Sequence, residues 1–284
     1  KDITYFHTLF WPAMLYGAGL RTPTAVNVHG FLTVDGAKMS KSRGTFINAR
    51  TWLEHLDPEY LRYYLATMLG PTLGDVDLDL KHFEERVNSH LVGKWVNIAS
   101  RCAGFIGKRF DGRLVAALPD PEMYARFVEA LGPIREAYER NEPATVLRLA
   151  MTLADEANRY IDERKPWVIA KQDGADAELQ AVCTQGLNLF RVLAIALAPV
   201  LPAMARSIEE FLDAPLAAWA DVDAPLLDHA IRPYSPLFTR IDPKQIAAMT
   251  EASKEDLKPA AKPGAAIAPA AREKLAAEAA PTGD

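Results

Sequence analysis

Residues Lys38-Met39-Ser40-Lys41-Ser42 place two ammonium groups three residues apart, between Gly36 and Gly44. A lysine ammonium is a compact charge on a flexible stem, able to follow phosphate oxygens as charge moves during displacement at phosphorus. Ser40 and Ser42 add hydroxyl donors, and the flanking glycines let the backbone approach a ligand closely or swing over it. The set describes a polyphosphate clamp, with ATP the expected ligand and Lys38 and Lys41 the catalytic pair. Losing one donor of this kind costs roughly 3 kcal/mol of barrier. The competing reading is a solvated Lys/Ser/Arg surface loop. Upstream, Ala25 to Val34 reads as a strand through Val26, Val28, Phe31, Leu32 and Val34, and it leads into an Asp35-Gly36 turn.

Three further constellations could bind. Ile3, His7 and Trp11 fall four residues apart, one stripe of a helix. An apolar side chain, an imidazole and an indole so spaced could wrap a thioether, where sulfur against an aromatic edge contributes about 0.3 to 1.5 kcal/mol; the alternative is a core face. Pro12 is comfortable only in a first turn. Asn97 and Arg101 share a helical face and together offer an amide and a planar donor fork, a pair able to read base edges in an unpaired loop. Trp167 follows Pro166 just after a long helix, where an exposed ring is a stacking platform worth about 1 to 3 kcal/mol per base. The alternatives there are an interhelical plug at Trp167 and a cap or core hydrogen bonder at Asn97.

The elements that must hold these residues are mainly helical. Thr51 to Met68 gives two short amphipathic segments separated by Asp57-Pro58, an N-cap followed by a first-turn proline. Apolar residues from Phe83 to Ile106 recur at helical spacing, and the helix from about Leu80 to Phe110 ends at Asp111-Gly112. Further helices are expected at Pro121 to Arg140, Pro143 to Arg164, Ala175 to Leu197, Ala203 to Leu212 and Pro243 to Ser253. Arg232 to Asp242 reads as a strap. From about Lys258 the Ala/Pro-rich tail has too few large apolar side chains to order itself, though Arg272 to Ala280 could be transiently helical.

The 284 residues are 49% hydrophobic with a net charge of −5, enough for a real core and unlike a generically basic nucleic-acid binder. Charge is uneven: residues 1–50 carry six basic against two acidic side chains, and residues 81–113 seven against three. Such faces suit phosphate contacts. No apolar run approaches the roughly 18 residues that span a bilayer. The first residue, Lys1, reads as a cut point. Cys102 and Cys183 lie in helical apolar patterns and fit buried thiols of a reducing compartment, with no metal site expected.

The segment VHGFLTVDGAKMSKSRGTFI, from Val28 to Ile47, resembles the second signature of the class I aminoacyl-tRNA synthetases. With KDITYFHTLFWPAML at the start, LRYYLATM from Leu61 and VNIASRCAGFIGKRFDG from Val96, the chain is most similar to the bacterial-type methionyl branch over about its first 250 residues. That resemblance implies the C-terminal end of a Rossmann-like α/β catalytic domain at 1–50, a connecting fold at 51–80, an α-helical anticodon-binding bundle at 81–253 and a disordered linker at 254–284. It implies ATP binding by Lys38, Met39, Ser40, Lys41 and Ser42, and methionine binding by Ile3, His7 and Trp11. Asp2 matches an acidic position near the adenylate, and Asn97, Arg101, Pro166 and Trp167 match positions that read a CAU anticodon. Expected ligands are ATP with Mg²⁺, L-methionine and tRNA(Met), in the cytoplasm. Zn²⁺ and the His-Ile-Gly-His signature belong to N-terminal sequence not found in these residues, and homodimerisation to a C-terminal domain also not found. The remaining readings are another class I synthetase, for leucine, valine, isoleucine or cysteine, and a free-standing tRNA-binding module with a relict loop.

Overall fold

The computed structural model describes residues 3–40 and 46–256. A π-helical turn, Phe6–Phe10, runs into helix α1 (Trp11–Gly17), whose first turn takes Pro12, the position where its missing N–H costs nothing. Strand β1 (Leu32–Val34) forms a tight hairpin with β2 (Ala37–Lys38). Asp35 (φ 47°) and Gly36 (φ 72°) make the two-residue turn, both left-handed as such a hairpin requires. The strand expected from Ala25 is shorter and begins at Leu32, just after the Gly30 N–H donates to the Gly74 carbonyl and the Phe31 carbonyl accepts from the Val76 N–H.

Helices α2 (Ala49–His55) and α3 (Pro58–Ala66) follow, α3 capped by the Asp57 carboxylate on the Glu59 N–H at 2.8 Å. Strand β3 (Val76–Leu78), unanticipated in the sequence, pairs parallel with β1, giving the sheet order β2-β1-β3. Asp77 accepts from the Thr33 hydroxyl at 2.6 Å and the Gly36 N–H at 2.9 Å, and Asp35 accepts from the Leu80 N–H at 3.1 Å. The hairpin is thus tied to β3 and to the start of helix α4 (Leu80–Val87).

From α4 the helix continues through a π-helical stretch, Asn88–Val96, into α5 (Asn97–Arg109). The predicted helix at Pro121 to Arg140 is two, α6 (Pro121–Glu129) and α7 (Leu131–Glu139). Pro133, which lacks an N–H, cannot extend the first and sits in the opening turn of the second. Then come α8 (Pro143–Arg164), the short α9 (Pro166–Ile169), α10 (Asp176–Leu197), α11 (Pro202–Leu212), a 3₁₀ turn at Trp219–Val222 and α12 (Pro243–Asp256), so the chain is mainly α. Helix α12 runs past the expected Ser253 and packs back on α2. The remainder of the Ala/Pro tail lies outside the described residues.

Helix α10 is the axis of the bundle, in contact with α5, α6, α8, α9 and α11. By length and mean hydropathy, 1.3, it could cross a membrane, but 89% of that window is buried inside the bundle. Gly186 lets α5 in: a Cβ there would lie 2.6 Å from Cys102 Sγ. Cys102 rests against Cys183, and its thiol pKa is pushed up by that hydrogen bond and by burial, so both cysteines are buried, free thiols. Arg191, buried on the same helix, donates to the carbonyls of Ala224, Pro215 and Asp221 and ties down the chain between α11 and α12.

The layer holding α3 is locked to the bundle by two side chains. The Glu59 carboxylate, 3% exposed, accepts from the Ala203 and Met204 N–H groups at 2.9 and 2.8 Å, serving as the missing cap of α11. Arg62 donates to the carbonyls of Val200 and Pro199 just beyond the end of α10. The Tyr63 hydroxyl and His90 Nδ1 share a hydrogen bond of 2.9 Å, and burial raises the phenol pKa. Burial, with Arg86 and Lys94 nearby, lowers the His90 pKa to about 4.

Two outcomes follow. Glu59→Ala strands two backbone donors and should cost about 3 kcal/mol in urea unfolding; a loss under about 0.5 kcal/mol would show the corner held by other contacts. An unfolded His90 takes a proton near pH 6.5 but the folded one only near 4. The unfolded state therefore binds the extra proton, and this contribution to stability is lost as pH falls through that window. His90→Gln should flatten that part of the stability–pH profile.

Candidate functional site

Two groups of predicted residues sit far apart in the chain and on different elements. Lys38 lies in β2, so it is held on a paired strand and not on a free loop, with its ammonium 5.3 Å from the Phe31 ring centroid. Met39 is half-buried against the core and Ser40 follows it. Lys41, Ser42 and Asp2 lie outside the described residues. The hairpin turn fixes where the lysine segment starts, and the anchors at Asp77 and Asp35 transmit that position to α4.

Ile3, His7 and Trp11 do share a face: His7 Nδ1 is 2.9 Å from the Ile3 carbonyl, and the His7 and Trp11 rings meet edge to face at 5.8 Å. All three are exposed within these residues, Ile3 by 63% and Trp11 by 47%. Around them Tyr5, Phe6 and Phe10 form an exposed aromatic cluster, with Phe6 and Phe10 stacked at 5.7 Å. Their aromatic character was legible, but their grouping depends on the π-helical turn.

The second group converges. Arg101 on α5 sits with its guanidinium 5.0 Å from the Trp167 ring centroid and donates to Asp162 at 2.7 Å. The other terminal nitrogen, Nη1, is buried without a partner. A buried, charged donor left unpaired costs about 1 to 3 kcal/mol or more, which an incoming acceptor would relieve. Asn97, half-buried, donates to Asn158 Oδ1 at 3.4 Å, and Asn158 in turn donates to the Lys94 carbonyl at 3.0 Å. Pro166 is buried and begins α9 after Lys165, the left-handed residue (φ 51°) that ends α8. That break turns Trp167 outward, 36% exposed, instead of into the core. The arrangement offers a ring face, a planar cation with a spare N–H and a carboxamide along one seam, the donor set that engages unstacked bases. By contrast Trp95 is buried on Phe190 at 5.6 Å and takes no part.

Sequence reasoning missed the acidic and amide partners on α8. Asp155, Asn158 and Asp162 recur at helical spacing, a polar stripe readable in advance, but its match to Lys94, Asn97 and Arg101 needed the packing of the two helices.

Comparison with known proteins gives two family matches: "tRNA synthetases class I (M)" over residues 1–103 and "Anticodon binding domain of methionyl tRNA ligase" over residues 122–253. A methionine–tRNA ligase of Xanthomonas campestris pv. campestris (strain B100) is 63% identical over 281 residues, covering 99% of this chain and 40% of the relative. One of Stenotrophomonas maltophilia (strain R551-3) is 64% identical over 282 residues, again covering 99% and 40%. This chain thus spans about 40% of the length of these curated relatives. Among solved structures, Mycobacterium tuberculosis methionyl-tRNA synthetase in complex with methionyl-adenylate superposes with TM-score 0.75 at 28% identity, covering 84% of this chain and 48% of that one.

Arg101 is held from one side by an exposed ion pair and from the other by a ring. Asp162→Asn should therefore change stability by less than about 1 kcal/mol in urea unfolding; a loss of several would make Asp162 a structural strut and not a holder of Arg101.

Proposed function

Because the chain belongs to the methionyl branch of the class I tRNA synthetases, we propose that it carries the lysine segment and the anticodon-binding bundle of a methionine–tRNA ligase. The complete enzyme joins methionine to ATP, releasing pyrophosphate, and passes the methionyl group from the adenylate to the terminal adenosine of tRNA(Met), initiator tRNA included. The observation that carries the reading of the bundle is the juxtaposition of the half-exposed Trp167 ring with Arg101, whose Nη1 lacks a partner, beside Asn97.

In this reading residues 1–50 close a Rossmann-like catalytic domain, 51–80 connect, and 81–253 read the anticodon. Trp167 stacks on a base of the CAU triplet, Asn97 and Arg101 hydrogen-bond base edges, and Pro166 sets the break that exposes the ring. Lys38 and Lys41 steady the triphosphate, with Met39, Ser40 and Ser42 shaping the segment around it. Ile3, His7 and Trp11 receive the methionine side chain, and Asp2 lies near the adenylate. Mg²⁺ arrives with ATP as part of the substrate. Zn²⁺ is assigned by the resemblance to other sequence of the enzyme, and among the described residues no group of three or more His, Cys, Asp or Glu side chains could hold an ion. The reading places the enzyme in the cytoplasm, as a homodimer through a further domain.

A hairpin carrying CAU should bind the chain more tightly than one with a changed first base, and Trp167→Ala should weaken the CAU hairpin by about 1 to 3 kcal/mol and erase most of the preference. Equal, salt-sensitive binding of both hairpins would leave only a generic RNA contact. Lacking His-Ile-Gly-His, the purified chain should show no methionine-dependent ATP–pyrophosphate exchange; measurable exchange would refute that assignment of the chemistry.

A further inference from the structure

The π-helical stretch and α5 run alongside α8 with a fixed offset. Lys94 meets Asp155, Asn97 meets Asn158 and Arg101 meets Asp162, each pair 61 residues apart, which is how two parallel helices in register pair their polar edges. Toward the N-terminal ends of both helices Arg86 and His90 come near Arg148 and Thr152, one residue off that register. There the seam opens into a cavity of about 470 Å³ that these four residues line together with Lys94 and Tyr63.

The chemistry of the opening differs from that of the closed rungs. Asp155, the carboxylate in the lining, is engaged by Lys94 at 2.8 Å. Among the described residues no carboxylate forms an ion pair with Arg86 or Arg148, and Arg86 donates to His82 Nε2 at 3.0 Å. Two guanidinium groups facing one cavity without a counter-charge repel each other, and an anion between them removes that cost. His90 adds a polar ring whose Nδ1 is hydrogen-bonded to the Tyr63 hydroxyl; in the tautomer in which Nδ1 accepts, Nε2–H is a neutral donor. The Tyr63 ring is fully buried, which leaves the guanidinium groups as the main feature of the lining, and these suit phosphate oxygens.

We propose that this cavity binds a backbone phosphate of the same RNA whose unpaired loop lies on Asn97, Arg101 and Trp167. The inference rests on the RNA-binding reading of the seam. Eleven helical residues separate His90 from Arg101, on the order of 16 Å, so the phosphate belongs to the stem next to the loop and not to the loop itself. Arg86 and Arg148 clamp the phosphate, and His90 donates a third hydrogen bond; the contact positions the RNA without reading its sequence.

The test is binding of two RNAs, a CAU hairpin with its stem and the unpaired loop alone, to the chain and to Arg86→Gln/Arg148→Gln at several salt concentrations. The double variant should bind the hairpin about tenfold or more weakly, and its slope of log K against log salt should be shallower by roughly 1 to 2, the signature of lost phosphate contacts. The CAU preference and the affinity for the loop alone should not change. Arg148→Lys, which keeps the charge and loses the fork, should restore most of the slope and part of the affinity. An unchanged slope in either glutamine single variant with wild-type melting would overturn the proposal. So would stabilisation of the wild type, but not the variant, by inorganic phosphate while hairpin binding stays the same, since that marks a small-anion site. Loss of the CAU preference on Trp167→Ala with no effect of the arginine changes would sink this inference alone. A salt-slope effect with no CAU preference in the wild type would sink the anticodon reading alone.

Discussion

Two charged side chains on α3, three residues apart, fix how the rest of the molecule is assembled. Where the chain turns from α10 into α11 it leaves carbonyls beyond one helix end and N–H groups at the next helix start, all in a largely buried corner. Glu59 supplies the anion to the N–H groups and Arg62 the cation to the carbonyls, matching the polarity of both helix dipoles. Neither group could stay buried or half-buried without these partners. The corner can therefore close only when α3 is docked, and α3 follows α2 in the chain after the β1–β2 hairpin that starts the lysine segment.

A second path joins the same parts. Asp77 and Asp35 bind the hairpin to β3 and to the first turn of α4, and α4 continues without interruption into the π-helical stretch and α5, which carries Asn97 and Arg101. Asn88, at the head of the π segment, brackets Ile241 through its donor at 3.0 Å and its acceptor at 2.8 Å, and Tyr60 donates to the Thr239 carbonyl. The chain segment before α12 thus straps the connecting layer and the bundle together from the outside. The lysine segment and the seam of Arg101 and Trp167 are thus tied to one continuous helical frame.

Much of this was legible beforehand. The caps and prolines at Asp57-Pro58, Pro143 and Pro243 mark helix starts because they act locally, through one hydrogen bond or one fixed dihedral angle. The Asp35-Gly36 turn is local in the same way. What escaped depends on distant partners. Val76–Leu78 is a strand only because β1 lies beside it, and the strand read from Ala25 begins only at Leu32, where the ladder with Val76 starts. Pro133 was visible, yet whether it would kink a helix or split it depends on the packing of α6 and α7. Asn97, Arg101 and Trp167 could be named as candidates from residue type and spacing, with the family resemblance preferring them over a cap and a plug, whereas the fit of Arg101 between Asp162 and the Trp167 ring required α8, α9 and α5 to meet. Lys41, Ser42 and Asp2 lie outside the described residues, and their roles rest on the sequence resemblance.

The most direct measurement of the account is amide hydrogen exchange of the chain with and without a CAU hairpin. The account predicts new protection concentrated at α5 around Asn97 to Arg101 and at the α8–α9 break around Asp162 to Trp167, with α6, α7 and the buried α10 unchanged. Protection on other faces, with the Asn97 and Trp167 segments exchanging as in the free chain, would contradict it.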